Sequence, residues 1–138
     1  MTWPCGFSLH LLATVVAVAL LSGACTHVGS ESRDNLLSNL RGAMNRPVDT
    51  EERSRGHSRL VEDVVQSGVL QNMTRGEVAE AIGRGDPCSR HPKCAELGFE
   101  GDDWFYQVGA MGGVQAPILI VGFDHTGQVV RTWNLETQ

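Results

Sequence analysis

The first 24 residues contain no Asp, Glu, Lys or Arg. That absence excludes an ordinary solvent-facing start to the chain. Nor does the sequence hold an apolar run long enough for a membrane-spanning helix. Its longest, "LLATVVAVALL" (Leu11 to Leu21), falls short of the roughly 20 residues a bilayer needs. Basic residues are scarce, 11 Lys and Arg against 16 Asp and Glu, for a net charge of −5. Nucleic-acid binding, which needs clustered Lys and Arg, is disfavoured. GxSxG and HExxH are both missing, and no serine or cysteine has a local base partner. Asp102 and Asp103 are adjacent, so on a strand they point to opposite faces and form no carboxylate dyad. His125 stands beside Asp124 at an expected hairpin tip. No catalytic residue, metal site or cofactor is expected, and the chain reads as a non-enzyme.

The uncharged start has the length of a signal-peptide apolar region, with small residues after it in "SGAC", Ser22 to Cys25. Its first residues, "MTWPCGFSLH", hold no Lys or Arg, so the terminal amine alone supplies positive charge. Two cleavage readings fit. "LLSGAC" is similar to a bacterial lipobox, where cleavage precedes a cysteine that is then lipidated, with Ser22 in the place usually held by Leu. Ser22 and Ala24 flanking Gly23 also make an ordinary small-x-small site. Cysteine arithmetic favours the first. Of four cysteines, Cys5 leaves with the signal; a lipidated Cys25 leaves Cys88 and Cys94 as one pair. Thr26, in place of Asp, points to the outer membrane. The expected organisation is a signal peptide over 1–24, a lipid-proximal tether with a short helix over 25–48, and a folded domain over 49–138.

Within that domain, "DPCSRHPKC" (residues 86–94) sets two cysteines around His91. In an oxidising compartment they can close a covalent ring contributing roughly 2 kcal/mol. Zinc would take Cys88, His91 and Cys94 with His57 or His125 as a fourth ligand. Free thiols are the third reading. The disulfide leads, and leaves His91 a solvated loop residue.

Helical spacing appears in "SRDNLLSNLRGAMN", with Leu36, Leu37, Leu40 and Met44 on one side and Pro47 ending the segment. It recurs in "TEERSRGHSRLVEDVVQSGVL", where Leu60, Val61, Val64 and Val65 form a stripe and His57 is expected at the surface. "NMTRGEVAEAIGRGDP" carries a capping box, Thr74 with Glu77, and a hydrophobic staple, Met73 with Val78. Three strands are expected: "DWFYQV", with Trp104, Tyr106 and Val108 on one face, the apolar "APILIVGF", and "GQVVRTWNL". "FDHTGQV" reads as a tight hairpin and "GAMGGVQA" as a flexible one. The fold class is α+β: two helices packed on a three-stranded antiparallel meander, preceded by an extra N-terminal helix. The far face of the sheet is left to solvent, a lid or a partner.

The run "NMTRGEVAEAIGRGDP" resembles the "G-M-[ST]-x-x-E-V-x-x-x-[LI]-G-x-P" pattern of SmpA/OmlA-type outer-membrane lipoproteins. "DDWFYQVG" and "ILIVGFDHTGQVVR" resemble the strand and hairpin that follow it there. That family includes the small accessory subunit of the outer-membrane β-barrel assembly machinery, and the β-lactamase inhibitor protein repeats share its helix–helix–sheet unit. Asn72 stands at the family's Gly position, the proline is displaced to Pro87, and "CSRHPKCAELGFEG" is an insertion. The resemblance implies a non-catalytic scaffold or accessory subunit of an outer-membrane complex, facing the periplasm and held by its N-terminal lipid, with an envelope protein as partner. The alternative is a periplasmic inhibitor-like or ligand-binding module. In either, Trp104, Tyr106 and Trp133 are the candidate partner-binding residues, read as one aromatic sheet surface.

Overall fold

The computed structural model describes residues 32–135. The expected signal peptide and Cys25 lie outside them. In chain order the elements are helix α1 (32–44), β1 (Pro47–Val48), α2 (Glu51–Ser67), α3 (Arg75–Ile82), β2 (Asp86–Pro87), a 3-10 turn (Cys88–Arg90), α4 (Pro92–Glu96), β3 (Trp104–Gln107), β4 (Ala110–Met111), β5 (Ile118–Phe123) and β6 (Val129–Leu135). The class is α+β. One sheet is antiparallel with order β2-β3-β5-β6, and β1 pairs with β4 separately, in parallel.

Each main helix starts where its local chemistry says. Thr50 caps α2 by accepting from the Arg53 N–H, and Glu51 and Glu52 lie in the first turn, where the helix dipole favours acids. Gly68, at φ 63°, ends it in the left-handed conformation. In α3 the capping box is reciprocal: the Glu77 N–H donates to Thr74 Oγ1 at 3.2 Å, and the Thr74 N–H to Glu77 Oε2 at 2.7 Å. Thr74→Ala is expected to cost about 1 kcal/mol in a chemical melt. Just before it Asn72 has φ 64°, which Asn tolerates better than most side chains.

α1 to α3 pack on one face of the sheet. Leu37, Leu40 and Ala43 of α1 share a core with Val61, Val64, Val78, Leu119, Val121 and Val129. His57 belongs to this buried set too, not to the surface. It lies one turn before Val61 on the apolar stripe, and its Nδ1–H donates to the Val108 carbonyl at 2.9 Å.

Two departures from expectation concern short pieces of chain. Pro47 does end α1, but Pro47–Val48 then pairs with Ala110–Met111, so the glycine-rich link is anchored at one end. The Ala110 N–H donates to the Arg46 carbonyl and the Val114 N–H to that of Val48. Gly112 permits this approach, since a Cβ there would lie 2.5 Å from the Val48 carbonyl oxygen. The other departure is the cysteine segment, which folds instead of looping freely. It forms β2, the 3-10 turn and α4.

Candidate functional site

Cys88 and Cys94 are joined as a disulfide and almost fully buried. With Phe99, Ile118 and Ile120 they form a second, smaller core, on which Leu97, Phe105 and Leu135 pack. The insertion is therefore a lid over the sheet face opposite the helices. Six hydrogen bonds tie it down. The Cys88 N–H donates to the Asp103 carbonyl at 2.8 Å, and the Ser89 N–H to that of Gly101 at 2.9 Å. The Arg131 guanidinium donates to the carbonyls of Gly98 and Leu97 and lies 3.7 Å over the Phe99 ring. Asp103 accepts from the Glu100 N–H with Oδ2 and from the Phe123 N–H with Oδ1. His91, expected in solvent, instead packs its ring 5.0 Å from that of Phe105. Its Nδ1 is buried without a hydrogen-bond partner among the described residues.

The three aromatic candidates do not share a surface. Strand register pairs Trp104 with Val121 and Tyr106 with Leu119, both core residues under the helices. Trp133 is paired with Ile120, and through it aligned with Phe105, on the opposite face. A β-bulge between Gly122 and Phe123 explains this. The extra residue on β6 leaves Val129 on the helix face but turns Arg131 and Trp133 to the other. Trp104 stands edge-on to Phe123, and the Arg75 guanidinium lies 4.0 Å over the Phe123 ring while holding Asp102. Trp133 remains 47 % exposed, with Val130 at 56 % and Met111 at 91 %. At Met111 the β4–β5 loop walls a shallow cleft of about 340 Å³, bounded also by Gln107, Val114, Ala116 and Ile118.

Tyr106 donates its hydroxyl to the Gly83 carbonyl at 2.9 Å, at the end of α3. Burial raises its pKa well above the ordinary 10.0, against a smaller opposing pull from the Gly85 backbone. Because the folded value is raised, its contribution to stability is intact below the ordinary phenol pKa and is lost as pH rises beyond it. This is the only tyrosine in the chain, so phenolate absorbance reports it alone. The native protein is expected to show none at the pH where the denatured protein is half ionised, and to gain it only on unfolding. At the hairpin tip Asp124 Oδ1 accepts from the Thr126 hydroxyl, the Thr126 N–H and the Gln128 N–H. The hydroxyl is the largest cause of its lowered pKa. This is turn chemistry.

Sequence reasoning missed His57, Asp103 and Arg131 as structural ties. Only His57 had a legible signal, its spacing to Val61 and Val64 on α2. Among the described residues, no three His, Cys, Asp or Glu side chains gather where they could hold a metal ion. Comparison with protein-family models, with curated proteins and with solved structures finds no match.

Proposed function

We propose that this protein is a bacterial envelope lipoprotein, anchored through Cys25, that serves an outer-membrane complex as a non-catalytic scaffold or accessory subunit. The observation that carries the reading is the buried Cys88–Cys94 disulfide. It sits inside a core that completes the fold, and such bonds persist in oxidising compartments. The uncharged, apolar N-terminus and the SmpA/OmlA-like motifs agree with it. So does the finer topology, helices over a meander of β3, β5 and β6. With Trp104 and Tyr106 in the core, the partner surface narrows to Trp133 and the exposed Val130 on the same strand.

A periplasmic inhibitor-like or ligand-binding module is the second reading, favoured by the cleft beside Ile118. Fractionation with affinity purification separates the two. The scaffold reading expects the protein in outer-membrane fractions, co-purifying with an assembly complex, and expects Cys25→Ala to release it and abolish fatty-acid labelling. A soluble periplasmic pool bound to one extracytoplasmic partner, with labelling absent in the wild type, would replace it with the module.

A further inference from the structure

The two edges of the antiparallel sheet are treated differently. β2 is only two residues long and includes Pro87, which has no N–H to offer. β6 is seven residues long and has no proline. At its start, Asn72 and Met73 occupy the edge by exchanging hydrogen bonds with Val129. Beyond the bulge, Arg131 pairs with Gly122, Trp133 with Ile120 and Leu135 with Ile118. The Phe123 N–H points away from β6, toward Asp103. By alternation Gly122, Ile120 and Ile118 point toward it, and their partners Arg131, Trp133 and Leu135 point back. The backbone groups of Thr132 and Asn134 therefore face outward, and among the described residues no segment takes them.

We propose that this edge pairs with β6 of a second copy of the chain, antiparallel and two-fold symmetric about Trp133. The inference rests on the same placing of recognition at Trp133 and names its occupant. Only this register matches both open residues at once, Thr132 with Asn134 of the second copy and Asn134 with its Thr132. That gives four backbone hydrogen bonds. It sets the half-exposed Trp133 directly against its own copy in a non-hydrogen-bonded pair, where side chains approach closest. Among the described residues the buried Asn134 Oδ1 has no hydrogen-bond partner. The register brings a threonine hydroxyl to its own face of the new sheet. No like charges oppose, because the strand's one charged residue, Arg131, is held on the lid carbonyls and faces Leu135 of the copy. A closed two-fold contact is also the commonest way for a chain to satisfy such an edge without growing fibres.

Two differently tagged full-length copies, co-expressed and captured through one tag, test this. The wild type is expected to carry the second tag. Trp133→Glu in both copies sets like charges together and should cut co-capture by about tenfold or more, equivalent to 1.4 kcal/mol. Trp133→Lys in both copies should do the same. Combining Trp133→Glu in one copy with Trp133→Lys in the other should restore capture. Met111→Glu, at a more exposed apolar site on β4, which pairs with β1 and not with β6, should leave it unchanged. Circular-dichroism melts of each variant separate lost pairing from lost fold. Absence of the second tag from wild-type captures, or well-folded charge variants that behave alike singly and mixed, would overturn the pairing. Envelope fractionation of the same cells reads the anchoring separately, so the lipoprotein reading stands or falls on its own result.

Discussion

Asp103→Ala is expected to destabilise the protein by about 3 kcal/mol, among the largest effects of any single substitution outside the apolar core. Asp103 is 3 % exposed, and its two carboxyl oxygens accept the backbone N–H groups of Glu100 at 2.8 Å and Phe123 at 2.9 Å. Removing the carboxyl leaves the buried Phe123 N–H without a partner, and such an orphan costs roughly 1–3 kcal/mol by itself. It also frees the turn that returns the lid to β3. Asn keeps one accepting oxygen and loses the other, so Asp103→Asn should lose less than the alanine variant. Urea melts of the two variants check the order. Equal losses would mean that only one of the two hydrogen bonds contributes.

The second large effect is loss of the disulfide. Replacing Cys88 and Cys94 together by Ala is expected to cost about 2–5 kcal/mol, the range for a cross-link in a small exported domain. Loop closure alone accounts for roughly 2 kcal/mol of it. The remainder comes from packing, since both sulfurs lie against Phe99, Ile118 and Ile120. Intact mass before and after reduction, with thiol alkylation, first checks that the bond is present in the protein isolated from cells. A denaturant melt of the double variant then measures its worth. A change below 1 kcal/mol would mean the lid is held by Arg131 and Asp103 rather than by sulfur.

Local chemistry was the legible part of this chain. The capping box of Thr74 and Glu77 satisfies neighbouring backbone groups within one turn, and so does the Asp124 turn. Neither depends on anything distant. Burial periodicity likewise placed the apolar stripe of α2 and the wholly buried β5. What escaped depends on contacts remote in sequence. A two-residue strand such as β1 has no periodicity to read, and its partner Ala110–Met111 lies more than sixty residues on. The lid's core mixes Cys88, Phe99 and Ile120, none of which forms a pattern with the others until the chain has folded. Trp133 was misplaced for a sharper reason. Alternation counted from Val129 puts both on one face, and a single bulge residue reverses the phase.

The measurement that tests the central claim most directly is the intact mass of the mature protein isolated from bacterial envelopes. The account predicts a chain beginning at Cys25, carrying the added mass of lipid, with Cys88 and Cys94 inaccessible to alkylation until reduced. A mature chain that begins elsewhere, lacks lipid, or offers two free thiols at those positions would contradict it.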